Sequence, residues 1–362
     1  EIELNSIARF NAATTATTGT LSLSSSTLDG SGVLAVTGMT VWTGGEMVGT
    51  GITKANGGLT ISGINTKDIR GRTLNNNGAA AWTGTGVLRI GDGGILNNTA
   101  LLDIQNEAAI LAIATAPRMV NNSGTLRKSG GVGATSVGVP LNNAGTVEVL
   151  AQSLAFTSAY TQTAGLTWLN GGSISTTTTL DILGGTLGGV GTITGDVSNS
   201  GTVAPGLSPG ILTIAGAYSQ SVSGRYLVEL AGLVVGAQHD RLDVTGAGQI
   251  AMLHGNLEPV LIGGFAPAAG DSFTISTFPS RVGAFASFTF PVLPPGLVWS
   301  VTSNPANVIL NVVSGVECTD GDEDGYAICA GGCTLAGADL CGDCDDALVA
   351  IRPGAAEVCD GL

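Results

Sequence analysis

The residues best suited to chemistry are crowded into the end of the chain, from 317 to 362. Asp320-Gly321-Asp322-Glu323-Asp324-Gly325-Tyr326 puts carboxylates at positions 1, 3 and 5 of a loop, glycine at 6 and a backbone carbonyl at 7. Hard oxygen ligands converging around a glycine bend are how a chain wraps Ca²⁺. An EF-hand would continue to a glutamate at position 12, but Gly331 stands there and no flanking helices are evident. The remaining oxygens are expected from Cys341-Gly342-Asp343-Cys344-Asp345-Asp346. The predicted metal ligands are therefore Asp320, Asp322, Asp324, the Tyr326 carbonyl, Asp343, Asp345 and Asp346.

All six cysteines, Cys318, Cys329, Cys333, Cys341, Cys344 and Cys359, lie in the same stretch. A segment too small for its own core ordinarily relies on disulfides, which form outside the cytosol. Six cysteines allow fifteen pairings, and spacing does not choose among them. Disulfides would hold the two acidic loops together. Zinc at Cys341-x-x-Cys344 is the weaker reading, because it needs free thiolates. The plainest alternative is a solvated acidic loop closed by disulfides.

The rest of the chain offers little chemistry. His239-Asp240-Arg241 is its one obvious polar cluster, and His254 stands alone. A structural role is expected for both histidines. A polysaccharide lyase or glycosidase would need paired carboxylates on neighbouring coils. The candidates are Asp92, Asp103, Glu107, Glu148, Asp181 and Asp196, and they form no recognisable motif. Asp92 with Arg89, and Asp103 one turn away, is where such a site would first be sought. Trp42 and Trp82 are expected in the core or at corners, with a carbohydrate-stacking platform as the sharper alternative. The chain is not expected to be an enzyme; a polysaccharide-binding or polysaccharide-degrading β-helix is the alternative.

Charge points the same way. Net charge is −14, and residues 317–362 hold 11 acids against one base, Arg352. No basic patch exists to neutralise phosphates, so nucleic acid is not an expected partner. Mean hydropathy is +0.38. No run of about 20 apolar residues occurs, so no membrane span is expected. The cysteines imply an extracellular or cell-surface location, and Glu1-Ile2-Glu3-Leu4 reads as an already processed start.

The scaffold is legible as a repeat. An apolar leader, asparagine, a small residue and a β-prone run recur at Leu74-Asn75-Asn76, Leu96-Asn97-Asn98, Val120-Asn121-Asn122 and Leu141-Asn142-Asn143, then degraded at Leu169-Asn170 and Val197-Ser198-Asn199. Leaders at 74, 96, 120, 141, 169 and 197 are spaced by 22, 24, 21, 28 and 28. That period, all strand and turn, marks a solenoid. Asparagine suits sharp left-handed corners. It can also hydrogen-bond its equivalents in the coils above and below, as in cross-β stacks. The fold expected is all-β: a right-handed β-solenoid (parallel β-helix) of roughly ten coils over residues 1–215. Residues 1–73 look the least regular. A β-rich cap or continued wide coils are expected over 216–316, followed by the Cys/Asp-rich calcium-binding module over 317–362.

Two resemblances add to this. The stretch Leu187-Gly188-Gly189-Val190-Gly191-Thr192-Ile193-Thr194 through Ser208-Pro209-Gly210-Ile211-Leu212-Thr213 resembles the strand repeats of secreted bacterial autotransporter and filamentous-haemagglutinin-like passengers, over roughly residues 90–315. The resemblance implies a surface solenoid, adhesive or structural. Asp320/Asp322/Asp324/Gly325/Tyr326, Cys344-Asp345-Asp346 and Pro353 through Gly361 resemble the Asp/Cys-rich metal-binding motif of bacterial surface proteins, and more loosely the thrombospondin type 3 calcium repeat. In the first of these a further Asn/Asp/Cys phrase usually follows Cys359-Asp360-Gly361. The function expected is an extracellular structural or adhesive subunit with a Ca²⁺-stabilised end. Its expected partners are copies of itself joined head-to-tail into filaments, other surface components or glycans.

Overall fold

Strands of three or four residues with alternating burial give each coil three sides. In Leu21–Leu23 the two leucines point inward and Ser22 outward, and Val33–Val36 and Thr73–Asn76 alternate likewise. The alternation follows from the two-residue period of a pleated strand. In a computed structural model of the protein, residues 2–4, 7–11 and 15–317 are described, with the short strands Tyr326–Ala327, Cys333–Thr334 and Leu340–Cys341.

Successive coils stack in parallel register. On the first face Leu21 lies against Thr40, Thr40 against Leu59, Leu59 against Ala80 and Ala80 against Leu102. The second face stacks Met47, Ile69, Ile90 and Ala112 in the same way. The third face is a separate sheet of 13 strands, and the first two merge into one sheet of 27. They merge because Leu166–Thr176 and Thr186–Thr194 run round the corner unbroken. Gly171 (φ 90°) and Gly189 (φ 95°) make those bends in a conformation that side chains disfavour. At about 4.8 Å per rung the rod is roughly 60 Å long. The architecture is an all-β parallel solenoid with no helix among the described residues.

Ten third-face rungs, from Ala16–Thr18 to Val197–Asn199, precede residue 215. Three more follow: Tyr218–Gln220, Ala251–Leu253 and Arg281–Gly283. Parallel stacking thus runs on through most of residues 216–316. It ends where Asn307–Ser314 pairs antiparallel with both Ser272–Thr277 and Leu297–Ser303.

Three sequence expectations change. Leu169 is not a repeat leader. It lies inside Leu166–Thr176 on the first face, and the true equivalents of Leu141 are Tyr160 and Leu180. The column of leaders is 74, 96, 120, 141, 160, 180, 197 and 218, so the two long spacings vanish. The rung at Leu169-Asn170 imitated the phrase by composition alone. Residues 21–73 are regular rungs: Ile52–Ala55 sits directly under Thr73–Asn76 without any asparagine. Nor do the paired asparagines turn corners. They end the strands, and the described non-glycine residues with positive φ are Asp92, Ala114, Gln152 and Ser208.

The asparagines instead build ladders. The second of each pair points into the core and is at most 1% exposed. Asn76 Nδ2 donates to Asn98 Oδ1, Asn98 to Asn122 and Asn122 to Asn143, each at 2.7 Å. Asn143 then donates to Gln162 Oε1 at 3.2 Å. Each Nδ2 also donates to a backbone carbonyl of the next coil: Leu101, Thr125, Thr146 and Leu166. The outward asparagines form a second ladder with the opposite polarity, Asn97 donating to Asn75, Asn121 to Asn97 and Asn142 to Asn121. The inner ladder ends where Ile182 occupies the column and resumes at Asn199 and Gln220. Both segments finish on a Tyr-x-Gln strand, Tyr160–Gln162 and Tyr218–Gln220, whose glutamine amide donates to carbonyls of the coil above.

Candidate functional site

The sequence-predicted metal site falls almost entirely outside the described residues. This holds for Asp320, Asp322, Asp324, Asp343, Asp345, Asp346, Cys318, Cys329, Cys344 and Cys359. Only the backbone is described at Tyr326, Cys333 and Cys341: Val316–Glu317 pairs with Cys333–Thr334, and Tyr326–Ala327 with Leu340–Cys341. Among the described residues, no group of three or more His, Cys, Asp or Glu side chains is placed to hold a metal.

The rod carboxylates and tryptophans are now placed. Arg89 grips Asp68 on the neighbouring coil through Nε and Nη2 at 2.7 and 2.6 Å. Asp92 instead holds Arg70 and accepts from Thr115. Asp103 lies on the first face, receiving Ser129 Oγ at 2.6 Å, whereas Arg89 lies on the second. The trio does not form a site. Among the described residues, five of six ion pairs join successive coils, so charges on the rod neutralise one another from rung to rung. Trp42 and Trp82 are both 0% exposed, in the first-face column that also holds Leu23, Ile61 and Ile104. Burial rules them out as a sugar platform.

The structure brings together residues that sequence reading left apart. Trp168 is half-buried on the outer side of the first face and lies across Gly188. A Cβ there would come 2.7 Å from its ring and 2.3 Å from the Ala204 carbonyl. Beyond it is a cleft of about 150 Å³ walled by Trp168, Leu207 and Leu227, with Ala204 at its base and Glu229 and Asp240 at its polar end. Asp240, 1% exposed, accepts the backbone N–H of Gly210 at 2.7 Å and of Glu229 at 2.8 Å. It thereby ties the Pro205–Pro209 loop to the next coil. Only glycine fits at 206, where φ is 97° and a Cβ would meet Asp240 Oδ1 at 2.3 Å. The visible signal was the His239-Asp240-Arg241 cluster, but its members diverge. His239 packs edge-on to Phe273 with Nδ1 near the Gly232 carbonyl, and Arg241 pairs with Asp243.

Burial pushes the Asp240 carboxyl up to about 7, against the two N–H donors that favour its charged form. A raised carboxyl stabilises the fold fully below the ordinary carboxylate range, and that contribution is lost as pH rises through about 7. Burial lowers the pKa of His239, which acts in the opposite sense, so the clean comparison is with Asp240→Asn. From pH 5 to pH 8 the wild-type melting temperature is expected to fall relative to that of Asp240→Asn by roughly 5 °C or more. Parallel curves would show that Asp240 stays charged throughout.

Against known proteins, one match stands out. The family model described as "Putative metal-binding motif" (Cu-binding MopE) matches residues 343–362. The match covers Asp343, Asp345, Asp346 and the Pro353–Gly361 phrase, so this segment is similar to a metal-binding motif. No curated protein matches the chain. Fold and motif together define a β-solenoid with a C-terminal segment of metal-binding type, which suits a surface or extracellular protein in general.

Proposed function

We propose that the protein is an extracellular structural or adhesive rod of a bacterial surface, without catalytic activity, whose C-terminal segment binds Ca²⁺ and whose copies join head-to-tail. The observation that carries this reading is the 13-rung stack, internally hydrogen-bonded through buried amide ladders and leading into a metal-binding motif. Such a chain puts its sequence into rigidity and length. The resemblance to autotransporter and haemagglutinin-type passengers supports a surface location.

Calcium is favoured over copper because the segment is rich in carboxylates, which suit a hard cation, while disulfide formation would remove the thiolates that select Cu(I). Head-to-tail assembly is favoured because the stacked parallel rungs form a repeat that a second copy can extend.

Electron microscopy of the native protein, first with Ca²⁺ and then with a chelator, tests the reading. Ordered filaments that fray on chelation are the expected result. Isolated short rods under both conditions would overturn the assembly. Calorimetric titration decides the metal: saturable Ca²⁺ binding is expected, and Cu²⁺ or Cu⁺ binding with no response to Ca²⁺ would overturn calcium.

A further inference from the structure

The cleft beside Trp168 has features that the rod does not need. Trp42, Trp82, Tyr160 and Tyr218 are drawn into the core of the rod. Here an indole is laid flat on the outside, and the next rung supplies Gly188, whose missing side chain makes room for it. The rung after that supplies Ala204, so the space beyond the ring stays open. Leu227 closes the far side. Glu229, on the same strand as Leu227, has no side-chain partner among the described residues, whereas Glu258 on the next rung meets Arg225. Asp240 fixes the rim by holding the Gly210 and Glu229 amides, so the cleft is preformed.

An aromatic wall, an apolar floor and one unpaired acceptor at the end make an amphipathic slot. It fits a ligand with one apolar face and a hydroxylated edge. The volume of about 150 Å³ has room for about five waters, the scale of a single sugar ring. The ionisable groups lining it are both carboxylates, which excludes acidic sugars.

We propose that this cleft binds one pyranose residue of a neutral glycan, with the C–H face of the ring on Trp168 and ring hydroxyls donating to the Glu229 carboxylate. The site is independent of rod assembly and of the C-terminal metal segment. It differs from the buried Trp42/Trp82 pair in being open to solvent. One ring and few contacts give weak affinity per site, roughly millimolar.

The test is a nuclear magnetic resonance titration of the full chain with methyl glycosides of glucose, galactose, mannose and N-acetylglucosamine, and with methyl glucuronide as the acidic counterpart. Saturable binding of at least one neutral glycoside is expected, with none of the glucuronide. Trp168→Ala and Glu229→Gln should each weaken binding at least tenfold. Ala204→Leu, which keeps the indole and fills the slot, should abolish it while the circular dichroism spectrum and melting temperature stay near wild type, so loss of binding is not mistaken for loss of fold. No saturable binding of any neutral glycoside, equal binding of the glucuronide, or binding that survives Ala204→Leu would overturn the proposal.

Discussion

Asn122→Asp is expected to destabilise the central coils by about 4 kcal/mol, although the two side chains are nearly the same size. Asn122 is 1% exposed and sits mid-ladder. Its Nδ2 donates to Asn143 Oδ1 at 2.7 Å and to the Thr146 carbonyl at 2.8 Å, while its Oδ1 accepts from Asn98. An aspartate would turn a donor toward two acceptors into a third acceptor. It must then stay charged in a dry interior or take up a proton that serves only one of them. No cavity forms, so the loss measures the mismatched hydrogen bonds together with the cost of burying or protonating the carboxyl. Asn121→Asp, one residue away on the outer ladder, keeps solvent contact and should cost less than about 1 kcal/mol. Solenoids unfold as coupled repeats rather than strictly as a whole. The readout is therefore hydrogen exchange of coils 95–149 alongside the denaturant midpoint. Equal effects of the two substitutions would show that the buried ladder is no stronger than the exposed one.

Arg72→Ala should cost about 4 kcal/mol, and Arg72→Met should recover most of it. The guanidinium is 0% exposed and forms no ion pair among the described residues, with Asp29 the nearby carboxylate that favours its charge. It donates to Thr53 Oγ1 at 2.8 Å and to the carbonyls of Gly30 at 3.0 Å, Val48 at 3.2 Å and Gly32 at 3.4 Å. Two of those carbonyls already accept a backbone N–H, Gly30 from Gly51 and Gly32 from Ile52, so the arginine occupies their second lone pairs. Burial lowers its pKa to about 10, so it remains charged at neutral pH and its desolvation opposes folding. The side chain is thus chiefly volume. Alanine leaves a cavity, whereas methionine fills most of it without a charge. Thermal denaturation of the two variants decides the matter. If methionine is as damaging as alanine, the carbonyl hydrogen bonds dominate and the volume argument fails.

What the sequence determined by itself was the local grammar. The phrase at 74, 96, 120 and 141 announces a rung because strand alternation and cross-rung asparagine bonding depend only on residue type and spacing. Low charge and a repeat near 22 residues exclude most other folds. The metal-binding character of the final segment was also visible, since adjacent carboxylates and cysteines carry that signal in one dimension.

Only the tertiary structure decided which face each residue takes. A strand's period is two, so a one-residue slip exchanges core and surface. That is why Trp42 and Trp82 are buried while Trp168, between the inward-facing Thr167 and Leu169, is half-exposed. It is also why Leu169 imitated a leader and the true positions were Tyr160 and Leu180. Rung spacing varies between neighbouring coils, so errors of register accumulate along the chain unless strand pairing resets them. The Trp168 cleft depends on four successive rungs together. Gly188 and Ala204 matter there for the side chains they lack, and Asp240 for two amides, Glu229 11 residues before it and Gly210 30 before it. No local pattern encodes such a meeting, because stacking of the coils creates it.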